Sequence, residues 1–457
     1  MALTKKPLPA PGGVREMIAI ALPMIVSYGC DTVMMFCDRL LLSKLGPDMM
    51  NAAVGGGIAA FMMASFGFGL FGYGTALVAQ YFGAGEKSLC PRVTTQSLIA
   101  ALLLYPLVLA CRPFVHVLFR KLGVPESQLE AQIVFFDVMT YGSLLVFIRQ
   151  SFAAFFSGIG RTGMVMAASL AAMAVNVAVS FVLIYGKFGM PALGIRGAAL
   201  GAVSGSFAAI VILAVVYWGK ELRAEFDTAR SFVFDAAVFR KLLRFGSPSG
   251  AEMLFTLLAA NGFVIAFQSL GPAVATASSI LMNWDMTAYI PLMGMEVGVT
   301  SLVGRYMGAR QPEIAHRATM SGLKVGFVYA FVLFLVFGLC AGPMVGMFRP
   351  HGESAVFAEA YPLAVTMLRM VSIYMFSIVL VIVFVGALRG AGDTLWAMTY
   401  HISLHWLAAA TIFFGTRFFG FSALQAWSIV IGLYMTFSGL AWLRYREGKW
   451  KTIRVIG

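Results

Sequence analysis

The sequence is poor in charge. Asp, Glu, Lys and Arg make up only 12% of its 457 residues, about half the roughly 25% typical of soluble domains. With 60% apolar residues beside that deficit, the chain cannot coat a water-soluble surface, and an integral membrane protein is expected. It is also short of acids, with 20 against 33 basic residues and a formal charge of +13. In a membrane chain this surplus reads as cytoplasmic loops rich in Lys and Arg, not as a nucleic-acid footprint. Cysteine is scarce. Cys30, Cys37, Cys90, Cys111 and Cys340 form no C-x-x-C and no zinc spacing, so neither a disulfide framework nor a metal site is expected. No polar stretch is long enough for a soluble catalytic domain, which argues against a pump with its ATPase on the same chain. A cleaved leader is not expected either. The run after Lys5, Lys6 and Arg15 continues to about Leu42 without an A-x-A exit.

What the sequence does have is apolar runs, near residues 16–41, 52–82, 93–116, 131–156, 163–186, 196–218, 246–269, 272–303, 319–345, 358–388, 394–416 and 420–443. Each is long enough for a transmembrane helix of about 20 residues. Twelve spans put both termini on one side. With the termini inside, about 21 basic residues fall on inner segments and about 9 on outer loops, so both ends are expected in the cytoplasm. The expected organisation is a tail 1–15, a lobe 16–218, a linker 219–245, a second lobe 246–443 and a basic tail 444–457.

The linker sits at the chain midpoint, and the two sides repeat. A shift of 225 residues pairs Pro23 with Pro248, Leu45-Gly46-Pro47 with Leu270-Gly271-Pro272, Thr75 with Thr300, and LVAQYFGA (77–84) with LVGRYMGA (302–309). A shift of 232 pairs Gly160-Arg161-Thr162 with Gly392-Asp393-Thr394. Two six-helix halves in one orientation follow. Transporters built from such repeats hold substrate near the midplane and alternate access by moving one half against the other.

The same landmarks resemble the multidrug and toxic compound extrusion (MATE) transporters. CDRLLLSKLGPD (37–48) is similar to the family's first-helix motif. QYFGAGEK (80–87) and RYMGARQP (305–312) end the second and eighth helices, SGIGRTGMVM (157–166) and GALRGAGDT (386–394) follow the fourth and tenth, and IYGKFGMPALGIRGAALGA (184–202) joins the fifth to the sixth. The resemblance implies an all-α fold of twelve transmembrane helices in two pseudo-symmetric lobes. It further implies a secondary exporter of small organic cations in a bacterial inner membrane, driven by proton or sodium entry, with no cofactor and no enzymatic activity. Membrane lipids are its other expected partners, and a monomer is expected. The wider superfamily includes flippases for lipid-linked sugars, so an exporter of a lipid-linked or anionic solute is the alternative.

Charges inside a span are costly and mark candidate sites. Asp31 and Asp38 are seven apart, about 700° of rotation, and share a face of the first helix. The resemblance makes Asp38 and Asn176 part of a cation or proton site; pairing of Asp38 with Arg39 is the structural alternative. Ser180 stands where the family often has an aspartate, and Ala202 where it has a threonine. Loss of two oxygen ligands favours proton coupling, with sodium held at Asp31 or backbone carbonyls left open. In the second half the NorM-like acids are missing: their positions carry Thr256 and Ile378. Glu252 lies one turn from Thr256, and the eighth helix supplies Asp285 and Glu296. With Asn283, Trp284 and Tyr289 these offer carboxylates beside aromatic faces, suited to a lipophilic cation; a local pair with Arg369 is the alternative. His401 and His405 share a face and could relay protons, touch substrate or simply pack. Arg149 is expected to snorkel toward the inner interface.

Two motifs mislead. GFGLFG (67–72) fits G-x-G-x-x-G but lies inside an apolar run with no preceding strand, and GAGEKS (83–88) lacks the Gly-Lys pair of a P-loop. Gly197, Gly201 and Gly205, and Gly294 with Gly298, have the spacing of close helix crossings. The 28 methionines and 39 phenylalanines mostly pack or face lipid.

Overall fold

The computed structural model describes residues 10–121, 123–350 and 354–456. Lys5, Lys6 and the final residue of the basic tail, Gly457, lie outside them. Among the described residues every regular element is helical: α1 (Val14–Ser43), α2 (Pro47–Gly72), α3 (Gly74–Gly83), α4 (Leu89–Lys121), α5 (Glu126–Gly158), α6 (Thr162–Tyr185), α7 (Ile195–Tyr217), α8 (Lys220–Phe226), α9 (Ala236–Gln268), α10 (Pro272–Gly308), α11 (Pro312–Gly346), α12 (Ala355–Ala391), α13 (Thr394–Phe418) and α14 (Ala423–Arg446), with 3-10 turns at Thr228–Arg230 and Lys449–Thr452.

Among the described residues eleven spans, with α2 and α3 taken together as Pro47–Gly83, are long and apolar enough to cross a membrane. The twelfth expected span, α13, is a full 25-residue helix. It falls short only in apolarity, because it carries Thr399, His401, Ser403, His405 and Arg417. Large apolar side chains such as Leu103, Leu107, Val328 and Leu339 face outward. A water-soluble helix would not tolerate them, whereas lipid does.

The repeat is visible in the helix ends. Pro47 and Pro272, 225 apart, both open a helix after a glycine with positive φ, 121° at Gly46 and 112° at Gly271. Proline at the first helical position costs no hydrogen bond, and glycine alone adopts the preceding backbone without strain. The following helices close at Gly83 and Gly308, again 225 apart.

The chain forms two compact units. One takes the residues up to Ile25 together with Phe255–Val455; the other takes Val26–Leu254. The division cuts α1 and α9 within their length, a few residues beyond Pro23 and Pro248. In the first unit α12 is the central helix, packed by α10, α11 and α14, and its aliphatic face is almost wholly buried. In the second, α5 packs against α2, α4 and α7, and α6 lies along α7.

α9 starts ten residues ahead of the apolar run at 246. Asp235 caps it, its Oδ1 accepting from the amides of Ala237 and Val238 at 3.1 Å each. Burial pushes this carboxyl up, but the Val238 amide, the Arg92 guanidinium and the Ala237 amide outweigh it, and the pKa lies below the ordinary 3.8. Capping of this kind lets the amphipathic stretch Phe239–Phe245 join the helix.

Candidate ion and substrate sites

In the second unit the structure brings together three residues singled out in the sequence. Asp38 on α1 is half-buried. Its Oδ1 accepts from the Ser180 hydroxyl at 2.8 Å and its Oδ2 from the Asn176 amide at 3.3 Å, both on α6. Asn176 and Ser180 are four residues apart and fully buried, so one face of α6 presents both donors. The pairing of Asp38 with Arg39 does not form: Arg39 is exposed, and the carboxylate's partners are uncharged.

The glycines of α7 make this geometry possible. A Cβ on Gly201 would lie 2.1 Å from Ser180 Oγ, and one on Gly205 would meet the Ala172 carbonyl at 2.7 Å and Asn176 Cβ at 3.1 Å. The close-crossing spacing therefore serves a purpose: it lets α7 press α6 from behind the two donors. Asn176 Oδ1 is buried and makes no hydrogen bond.

Asp31, two turns earlier on α1, does not join this group. Arg149 on α5 reaches it, with Nη2 2.8 Å from Oδ1 and 3.2 Å from Oδ2, and with Ser169 Oγ 3.5 Å away. The expected snorkelling of Arg149 is thus corrected. A guanidinium within a span is satisfied more cheaply by a carboxylate on the next helix than by stretching to an interface. Arg112 and His116 on α4 close in the same way on Asp137, at 2.8 and 2.7 Å.

In the first unit, Asp285 on α10 accepts a short hydrogen bond from the Tyr374 hydroxyl of α12. The expected alternative, Arg369, is exposed on α12 and is not the partner. The Tyr374 ring lies 5.5 Å from Tyr434 and 6.2 Å from Trp427, both on α14. Beyond it the Tyr434 hydroxyl and His405 Nε2 are 3.4 Å apart. His405 Nδ1 donates to the His401 carbonyl at 2.9 Å, which leaves Nε2 as the acceptor. His401 lies edge-on to His405, ring centroids 6.1 Å apart. Aromatic side chains of α12, α13 and α14 therefore gather beside one carboxylate, Asp285, with the Tyr374 hydroxyl touching it.

The remaining candidates scatter. Glu296 is bound by Arg389 of α12, a residue that the sequence showed only as part of a helix-end motif. Asn283 is exposed and donates to the Ser279 carbonyl of its own helix. Trp284 lies edge-on to Phe348 at 6.3 Å, and Tyr289 packs half-buried on the core. Glu252 is buried on the part of α9 that belongs to the second unit, beside Gly250, where a Cβ would meet the Phe66 carbonyl of α2 at 2.6 Å. Tyr374, Tyr434 and Trp427 were missed. Their only signal is a hydroxyl or indole in an otherwise apolar span. Among the described residues no group of three His, Cys, Asp or Glu gathers as a metal site.

These features define a polytopic, all-α membrane protein of two helical lobes, of the transporter class. The chain belongs to the MatE family, whose model matches residues 23–182 and 248–412. It is 26% identical over 437 residues to the probable multidrug resistance protein NorM of Bradyrhizobium diazoefficiens, covering 94% of this chain and 92% of that one. It is 25% identical over 458 residues to the probable NorM of Thermotoga maritima, covering 97% and 94%. A solved MOP superfamily transporter from Pyrococcus furiosus, described as having a binding pocket of reversed polarity, superposes with a TM-score of 0.87 at 20% identity, over 96% of this chain and 97% of that one. At that identity the match concerns the fold alone.

Proposed function

We propose that the protein is a proton-coupled antiporter that exports cationic organic molecules across a bacterial inner membrane, with both termini in the cytoplasm. The observation that carries the reading is Asp38, a carboxylate within a span held, among the described residues, by the uncharged donors Ser180 and Asn176. Such a group can gain and lose a proton without breaking an ion pair. Rotation of the Asn176 amide would turn its unpartnered Oδ1 to accept from a protonated Asp38, so both charge states have a partner. The family relatives named multidrug resistance proteins support the substrate class. Ala202 in place of an oxygen ligand supports a proton over sodium.

Asp285, backed by Tyr374 and flanked by Tyr434 and Trp427, supplies the carboxylate and aromatic faces for an organic cation. Ion and substrate each favour a different access state, and the difference drives exchange. The test is ethidium movement into everted membrane vesicles under an imposed proton or sodium gradient. Wild type should respond to the proton gradient alone, and Asp38→Asn should abolish the response. Transport by Asp38→Asn at the wild-type rate would refute the assignment.

A further inference from the structure

The segment between α8 and α9 holds an apolar wedge toward the outside of the protein. Phe232, Val233 and Phe234 are 52%, 58% and 58% exposed, and Trp218, 46% exposed, stacks on Phe232 at 5.9 Å and 25°. This exposure is built in rather than a fray. Gln96 donates to the Val233 carbonyl at 2.8 Å, Arg92 holds Asp235 at 3.1 Å, and the buried Ser231 donates to the Thr228 carbonyl at 2.8 Å. The backbone is therefore fastened on both sides of three aromatic and branched side chains that stay more than half exposed even with Trp218 stacked on Phe232 and Phe239 against Phe234.

One turn on, Arg240 and Arg244 lie four residues apart on the exposed face of α9. Together with Phe234, Phe239 and Leu243 they line a groove of about 540 Å³. Arg244 also stands over the Phe245 ring at 5.5 Å. Neither guanidinium has an acidic partner among the described residues, whereas Arg92, Arg149, Arg161, Arg305, Arg389 and Arg444 all do.

A fixed apolar wedge beside two guanidiniums without acids matches one kind of occupant, an acyl chain with a phosphate above it. We propose that this groove is a binding site for an anionic phospholipid of the adjoining leaflet: the glycerol phosphate sits between Arg240 and Arg244, Phe234 lies beside it at the headgroup level, and the acyl chains run along Phe239 and Leu243. Charge selects the lipid and the wedge sets its depth, because aromatic side chains settle at the headgroup level. Lipid binding at Arg240 and Arg244 uses none of the groups around Asp38 or Asp285 and does not depend on how they work.

The experiment is native mass spectrometry of the full-length protein in detergent, titrated with phosphatidylglycerol or phosphatidylcholine. Wild type should prefer phosphatidylglycerol by about tenfold or more. Arg240→Gln with Arg244→Gln should lose that preference while still retaining phosphatidylcholine, Phe234→Ser should weaken both lipids, and Lys44→Gln should change neither. Retention of the preference by the double arginine variant would overturn the proposal. So would equal competition by soluble glycerol phosphate, which would make this a site for free phosphate rather than lipid.

Discussion

Replacing Arg149 by Met tests how α1 is held in the second unit. Two side chains of its later half reach other helices there, Asp31 to Arg149 of α5 and Asp38 to Asn176 and Ser180 of α6. They are seven residues, about 10.5 Å, apart along the axis. The ion pair is intermediate in exposure, 21% for Arg149 and 40% for Asp31. Stripping one partner from a buried pair costs about 3–5 kcal/mol, and from an exposed one about 0–1. About 2 kcal/mol is therefore expected here, roughly a 30-fold shift away from the docked position of α1.

The lone Asp31 carboxylate would then become a second group that can take up a cation, and Asp38 would be less firmly presented to its donors. Proton-driven ethidium transport should fall about tenfold or more at neutral pH, and its dependence on pH should steepen. Asp31→Asn alone should also impair transport, because it strands the guanidinium. The double variant Asp31→Asn with Arg149→Met carries neither charge and should recover most of the wild-type rate and pH profile. A double variant no better than Arg149→Met would refute the reasoning, and would make Asp31 a direct ion ligand rather than a positioning residue.

Three other outcomes follow from the geometry. Gly201→Ala places a methyl group against Ser180 Oγ and forces α6 away from α7; proton-driven transport should need an external proton concentration about tenfold higher, as a pH titration of the rate would show. Tyr374→Phe removes the hydroxyl donor from Asp285, a bond to a charged group worth about 1.5–3 kcal/mol; KM for ethidium should fall about tenfold and kcat with it, and unchanged kinetics would mean that Asp285 does not meet substrate. Asp235→Ala removes the cap of α9, worth about 1 kcal/mol. The folded-state pKa of Asp235 lies below 3.8, so the cap is fully present at neutral pH and is lost only as pH falls through that lowered value. Hydrogen exchange at the Ala237 and Val238 amides should therefore be several-fold faster in the variant at pH 7, and the two proteins should converge as the medium is made strongly acid.

Much of the fold was legible because membranes leave few choices: an apolar run that must satisfy its own backbone becomes a helix. The duplication was equally plain, since Gly46-Pro47 and Gly271-Pro272 start their helices in the same way. Hydropathy, however, reports which residues enter a span and not which way each helix is turned. Asp31 and Arg149 are 118 positions apart, Asp285 and Tyr374 are 89, and Glu296 and Arg389 are 93. No local pattern links such pairs. The group around Asp38 was legible only through the family resemblance. The early start of α9 was missed because an amphipathic, charged stretch looks like a linker until its cap at Asp235 is recognised.

The balance of charge within each unit bears on the rival reading, export of an anionic or lipid-linked solute. That reading needs internal guanidiniums left over for the substrate. In the second unit Arg149 is taken by Asp31 and Arg112 by Asp137. In the first, Arg389 is taken by Glu296, Arg305 by Glu16 and Arg444 by Asp393. Arg369 is not enclosed by its own unit, lying on the exposed side of α12. The carboxylates are distributed the other way, because Asp38 and Asp285, one in each unit, have hydroxyl or amide partners and no cation among the described residues. With these arginines spent on ion pairs, Asp38 in one unit and Asp285 in the other each present negative charge in a low-dielectric setting, where even a single charge is felt strongly. A cation relieves that charge and an anion compounds it, which supports export of organic cations by proton exchange over the anionic alternative.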